Sequence, residues 1–263
     1  MQAKKRKRLP PQLTPMMIER SYTRELHLII MEVREALKPL LNEIPILLRD
    51  IPSIYRYDAG EGKKIKDLAD KARKTLAKTV TPDRLKTLAR KFGERTSVFQ
   101  KAQLAKQTKA AIGVEIIGKD KKLAKLMERF VSTNVSLITN IPERIVGELE
   151  ATINRAVQLG TSTKELGKQI ASKFEIEDKK AAGIARDQVG TFYGQLNATR
   201  QQDLGIEKFI WRTVGDERVR PEHRSRDGQE YSYKDPPSGE LPGTPINCRC
   251  WAEPVIDDIL NAA

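Results

Sequence analysis

The sequence predicts a mainly α protein with a small α+β module near its C-terminal end. Three observations carry this. Aromatic residues make up 5% of the 263 positions and charged residues 32%, a composition of solvated helices rather than of an aromatic-rich β-sandwich. Apolar residues recur at three- and four-residue steps through most of the chain up to Leu204. After Gly205 the period changes, and two short strand-like runs flank a long loop rich in proline and glycine.

Taken in order, residues 1–15 read as a basic flexible arm. Lys4, Lys5, Arg6, Lys7 and Arg8 repel one another, and Pro10, Pro11 and Pro15 lack the N–H a helix needs. No apolar core stands behind this run, so no secretory leader is expected. No stretch is apolar for long enough to span a membrane. From Met16 a helical stripe begins (Leu26, Ile29, Ile30, Val33, Leu37), and Pro39 is expected to end it. Pro45 and Pro52 break up the next segment, residues 53–62 read as a connection, and helix resumes near Lys63. Thr81 before Pro82 is a sound helix start. On that helix Leu85, Leu88, Phe92 and Phe99 share one face, and Lys86, Arg90 and Lys101 lie opposite.

Pro142 is expected to open a helix with Ile145, Leu149, Ile153 and Ala156 on one face, and Gly160 to close it. Ser162 to Glu165 fits a capping box that starts the next. A further helix is expected from about Asp178 to Leu204, with Ala181, Ala185, Val189, Phe192 and Leu196 as its core stripe. Gly183, Gly190 and Gly194 fall on its other side. Interior glycine costs a helix about 1 kcal/mol against alanine, so three on one face suggest another backbone packed there, from a neighbouring helix of this chain or from another subunit, with no packing partner as the plain alternative. Ile206 to Val214 and Cys248 to Ile256 read as strands that pair or neighbour, and the span between them reads as turns and loop.

Charge divides the chain. Residues 1–140 carry 31 Lys/Arg and 15 Asp/Glu, a net +16, while residues 141–263 carry 17 and 20, a net −3. The expected organisation is an arm (1–15), a basic helical region (16–140) and a C-terminal domain (141–263). The basic part suits phosphate contact, with Lys4, Lys5, Arg6, Lys7, Arg8, Lys86, Arg90 and Lys101 as the DNA-contact candidates. A solvated lysine-rich surface is the plainer alternative. Aromatics are not interleaved with these cations, which argues against a base-stacking platform for single strands. The C-terminal part has no net attraction for phosphate and is expected to contact protein.

The most specific stretch runs from Trp211 through Asp216-Glu217-Arg218-Val219-Arg220 and His223 to Asp227-Gly228, then Asn247-Cys248-Arg249-Cys250. Two cysteines in the whole chain exclude a disulfide scaffold and fit a reducing compartment. Cysteines two apart on a strand point the same way. With His223 they offer three zinc ligands, one short of a closed site, and Asp216 or Asp227 is the candidate fourth, with Glu222 or water as further choices. Cys248 and Cys250 as plain core packing is the other reading. The chain has no His-Glu-x-x-His, no phosphate-cradling Gly-rich loop with lysine and no Gly-x-Ser-x-Gly. Glu222 precedes His223 and the cysteines are one residue apart, so the zinc-deaminase pattern also fails. His27 is remote in sequence, and no catalytic residue is assigned.

These motifs, with Ile184-Ala185-Arg186-Asp187 and the proline-rich loop, resemble the C-terminal domain of the phage Mu F-like head morphogenesis proteins, the minor capsid proteins of tailed phages. The resemblance covers roughly residues 141–256. Some members carry Cys-x-x-Cys where this chain has Arg220-Pro221-Glu222-His223, which with Cys-x-Cys would complete four ligands, and Arg220 departs from that pattern. The resemblance implies a non-enzymatic virion component inside the capsid, made and assembled in the host cytoplasm. Its implied partners are the portal protein, the major capsid or scaffolding protein and double-stranded DNA, and its implied role lies in packaging or ejection. Some members have a toxin domain fused behind the module; with the sequence closing at Ala263, none is expected here. The alternative is a sequence-nonspecific DNA-binding protein or metal-dependent nuclease unconnected with capsids. A structural zinc is the one candidate cofactor. The sequence also predicts that His223, Asp216, Cys248 and Cys250 meet in space, with Arg218, Arg220 and Arg249 pairing nearby carboxylates.

Overall fold

The structure, a computed structural model, describes residues 9–48, 59–115 and 122–256. Among the described residues there are six α-helices, a short 3₁₀ turn and one three-stranded antiparallel sheet, the mainly α architecture with a small C-terminal sheet that composition and period predict. The helices are α1 (Met16–Leu47), α2 (Ala59–Thr79), α3 (Pro82–Ile112), α4 (Leu123–Leu159), α5 (Thr163–Asp203) and α6 (Pro221–Arg226). The strands are β1 (Lys208–Arg212), β2 (Glu230–Ser232) and β3 (Trp251–Pro254), with β1 central. No described helix is long and apolar enough to cross a membrane.

Two helices run through prolines expected to bound them. Pro39 and Pro45 lie inside α1, and Pro142 lies inside α4. The reason is burial on the other face. Val33, Leu37, Leu40, Ile44 and Leu47 form one buried stripe through both α1 prolines, which are themselves exposed. An interior proline costs a helix about 3 kcal/mol. Several fully buried aliphatic side chains at about 1.5–3 kcal/mol each outweigh that, while water satisfies the freed carbonyls. Ile138, Ile141, Ile145 and Leu149 carry α4 through Pro142 in the same way. The helices expected from Ser162 and from Asp178 are one helix, α5. Its buried stripe Leu166, Ile170, Phe174, Glu177, Ala181 and Ala185 has no gap, because Glu177 stays on it as a carboxylate bonded by Arg144 and Lys180. Helix α2 starts at Ala59, four residues before the expected Lys63. The expected caps form: the Arg84 N–H donates to Thr81 Oγ1 at 3.3 Å and the Glu165 N–H to Ser162 Oγ at 3.2 Å.

The chain packs as two compact units. One contains residues 21–89 and 132–185. Its core is the α1 stripe with Ile65, Ala69, Leu85, Leu149 and Ile153, and the buried Tyr22 hydroxyl donates to Asn134 at 2.8 Å. The other contains residues 1–20, 90–131 and 186–263, and it holds every described residue of the candidate site. Phe130 stacks on Phe192 with centroids 4.4 Å apart. Gly93 packs against Met127 and Phe130, where a Cβ would fall too close to the Met127 sulfur and 3.1 Å from the Phe130 ring.

A buried polar cluster also belongs to this second unit. The Asn197 carbonyl accepts from Gln12, Gln100 and Gln201, and its amide donates to the Ala252 carbonyl of β3 at 2.9 Å. Arg200, 3% exposed, donates to Ser97 and Gln100. Gln12 draws the N-terminal strap inward. Leu9, Gln12 and Pro15 are buried, so residues 9–15 of the expected arm are packed rather than loose. Three prolines rule out a helix there, yet they leave side chains able to bury.

Candidate functional site

The sheet forms the floor of the site. Strand β1 alternates, sending Phe209 and Trp211 to one face, fully buried, while Lys208 is exposed. The two expected strands do pair: β1 runs antiparallel to β3, with Trp211 opposite Ala252 and Arg212 opposite Trp251. Strand β2 pairs on the other edge, Phe209 opposite Tyr231. Phe209, Trp211, Cys248, Cys250 and Ala252 make one buried cluster, flanked by Tyr231, Tyr233 and Leu241.

The closing strand is shorter than the expected Cys248 to Ile256, since β3 begins at Trp251. The cysteines precede it in a turn, where the Cys248 N–H donates to the Pro245 carbonyl at 2.9 Å and Asn247 takes a positive φ of 56°. That turn, closed by the bond to Pro245 and the left-handed Asn247, takes the chain out of extended conformation just before the cysteines. Strand β2 and helix α6 fall in the span expected to be turns. Both are short, and polar composition over three to six residues hides their periods, although Pro221 at the first helical position is a start signal.

Helix α6 delivers His223. Its Nδ1 lies 3.5 Å from Cys248 Sγ and 3.6 Å from Cys250 Sγ, and all three residues are buried. One ligand atom from each falls within 4.8 Å of the others. The opposite ring nitrogen, Nε2, lies 3.6 Å from Glu240 Oε2. Glu240 also accepts from Arg226 at 3.0 Å, and the Arg226 guanidinium sits 4.9 Å over the Trp211 ring. That hydrogen bond from Arg226 holds the Glu240 carboxyl below its usual range. A carboxylate behind the imidazole favours the proton on Nε2, which leaves the Nδ1 lone pair facing the thiols. Neither Glu240 nor Arg226 was legible from sequence, because the long loop sets their position. The two thiols titrate as a pair: the hydrogen bond from Cys250 lowers Cys248 against the opposing cost of burial, while that same bond and burial push the Cys250 thiol up.

The carboxylates expected to supply a fourth ligand are engaged elsewhere. Arg249 Nη2 donates to both carboxylate oxygens of Asp216, at 2.9 and 2.7 Å, and this holds the Asp216 carboxyl below its usual range. Asp227 accepts the Thr213 N–H at 2.8 Å. Glu222 is exposed on α6. Of the three arginines expected to meet carboxylates, Arg249 pairs closely with Asp216, Arg218 approaches it at 3.5 Å, and Arg220 donates to the Ile246 carbonyl instead. Arg212 grips the buried Glu253 across the sheet at 2.6 and 3.1 Å.

The glycine face resolves into three different cases. A Cβ on Gly194 would lie 2.9 Å from both the Gly243 carbonyl carbon and the Pro242 carbonyl oxygen, so the proline-rich loop docks directly on α5 there. A Cβ on Gly190 would meet only the Cys248 carbonyl at 3.7 Å, and Gly183 faces open space. Gly243 itself has φ of 86°, which a side chain rarely adopts. Gly194→Leu is expected to destabilise this unit by about 3 kcal/mol, since backbone on both sides cannot yield. Gly183→Leu is the control and should cost under about 0.5 kcal/mol. Urea melts of the two variants check this; equal midpoints would remove the role given to the loop contact.

Lys4, Lys5, Arg6, Lys7 and Arg8 lie outside the described residues. Lys86 and Arg90 are exposed on α3 and Lys101 is half-buried. His27 is exposed and pairs with Asp178 at 2.7 Å.

Residues 147–253 match the family described as Phage Mu protein F like protein. The match falls within the span whose motifs carry the resemblance and includes His223, Cys248 and Cys250. A protein of Haemophilus influenzae (strain ATCC 51907 / DSM 11121 / KW20 / Rd), described as an uncharacterized protein, is 26% identical over 235 residues, covering 86% of this chain and 52% of that protein. This chain thus spans about half the length of the curated relative it matches. No solved structure matches.

Proposed function

We propose that this chain, whose residues 147–253 carry the Mu F-like match, is a non-enzymatic head morphogenesis protein of a tailed phage. It acts beside the portal, inside the capsid, and assists assembly, DNA packaging or ejection. The family match is the observation that carries this reading. The site's chemistry accords with it: the only buried histidine of the described residues is sandwiched between two thiols and a carboxylate, a donor set suited to fastening the fold through a metal. Expression with the neighbouring phage head genes should place the chain in purified proheads together with portal protein. Proheads that form normally and exclude it would reject the reading. Cleavage of duplex DNA with Mg²⁺, Mn²⁺ or Zn²⁺ would favour the nuclease alternative.

DNA contact is part of the proposal and rests on the net +16 of residues 1–140, with Lys86 and Arg90 exposed on α3. Each neutralised phosphate releases condensed counterion, so log affinity should fall against log salt with a slope of about 0.9 per contact. Lys86→Glu with Arg90→Glu in the full chain should flatten that slope in a mobility-shift series. No shift by the parental chain, even at low salt, would reject DNA contact.

Three donors of a structural zinc site are assembled here, one short of a closed set. His223, Cys248 and Cys250 would hold the zinc, soft donors suited to that ion, and Glu240 would orient the imidazole from behind. Bound there, the ion would fasten α6 to the turn before β3.

A further inference from the structure

A groove of about 520 Å³ opens beside the His223 cluster, entirely within the unit that holds the site. Five arginines line it, Arg20, Arg186, Arg218, Arg220 and Arg249, against a single lining carboxylate, Glu19; Arg249 and Arg218 are turned to Asp216 and Arg220 to the Ile246 carbonyl, so Arg20 and Arg186 carry the anion-facing charge. They come from the start of α1, from α5, from the turn before α6 and from the turn before β3. Burial pushes the Glu19 carboxyl up, against the pull of Arg186 and Arg249. No lysine lines the groove. We propose that this groove docks an acidic segment of a partner protein, one carrying carboxylates beside apolar side chains.

Three features select that occupant. Arginine presents a planar fork that takes a carboxylate or phosphate in two parallel bonds, so a lining of arginine alone suits oriented anion recognition better than diffuse attraction. Apolar side chains stand beside these charges. Met16, which lines the groove, is 55% exposed, Leu13 on the adjoining pocket 57%, and Ile246, next in sequence to the lining Asn247, 69%. Exposed Met next to arginine is a composition enriched at protein interfaces, whereas a phosphate backbone offers no apolar surface for Met16 or Leu13 to bury against. No Phe, Tyr or Trp lines the groove itself, and its one imidazole, His223, is 3% exposed, so bases would find little stacking surface there. The docking site stands on its own geometry and does not depend on the head-assembly reading.

The test uses the full chain and a fluorescein-labelled peptide of repeated Glu-Asp-Leu triplets, read by fluorescence anisotropy. The same peptide with Gln and Asn for the acids is the comparison. The acidic peptide should bind and the neutral one should not. Arg20→Glu with Arg186→Glu should weaken binding at least about tenfold, since like charges would then face the ligand. Both residues are exposed, and Arg20→Gln with Arg186→Gln removes charge without adding acid, so loss of fold is separable by a melting curve. Equal binding of the two peptides, or unchanged binding by both double variants, overturns the proposal. So does duplex DNA that displaces the peptide and is itself weakened by the same substitutions, which would make the groove a nucleic-acid site.

Discussion

Cys248→Ser combined with Cys250→Ser is expected to abolish metal binding and to lower the stability of the site-bearing unit by about 3 kcal/mol. Serine has no readily ionised, soft donor, so only His223 would remain to hold zinc. The loss also reaches the metal-free fold. His223 is 3% exposed, and its Nδ1 faces the two sulfur atoms. Hydroxyls are smaller than thiols and sit farther from the ring, which leaves a buried nitrogen poorly paired. Elemental analysis of protein purified without chelator separates the two contributions. About one zinc per chain in the parent and none in the variant supports coordination. No zinc in the parent, with the variant still less stable, supports a metal-free fastening. A variant as stable as the parent would show that neither fastening exists.

Asn197→Leu is the second large effect, about 3 kcal/mol, because it keeps volume and removes one acceptor shared by three donors. Gln12 and Gln201 each retain another partner, Gln107 and the Ala252 carbonyl respectively. Gln100 Nε2 loses the acceptor it reaches at 3.0 Å. The Ala252 carbonyl keeps Gln201 but loses the Asn197 amide. An unsatisfied buried polar group costs about 1–3 kcal/mol, and a hydrogen bond lost with a partner left over costs less. Urea unfolding of parent and variant with matched slopes would measure it. A change under about 1 kcal/mol would mean that the glutamines re-pair among themselves.

The sequence by itself determined which residues fold locally and which are apolar. The 3.6-residue stripes located the helical stretches, the caps at Thr81 and Ser162 formed as expected, and the aromatic strand at Phe209 and Trp211 stood out by period and composition. The motif order also pointed to the family that residues 147–253 match. It brought His223, Cys248 and Cys250 under suspicion together, since soft ligands are scarce in this chain.

Tertiary structure decided what local signals could not weigh. Pro39, Pro45 and Pro142 are helix breakers by local chemistry, and only the buried stripe on the opposite face, worth more than the broken bond, keeps α1 and α4 continuous. Glu177 looks like a polar interruption until Arg144 and Lys180 are seen to neutralise it inside the α5 stripe. The glycine face had one true close approach, at Gly194, because a loop almost fifty residues later in the chain lands there and not at Gly183. The arginine groove is the clearest case. Counted along the sequence, residues 141–263 carry net −3, yet four of the five groove arginines come from that acidic half. A linear charge count averages residues that the fold separates. The field at a site depends on distance, and distance is set by how α5, the turns and β3 pack.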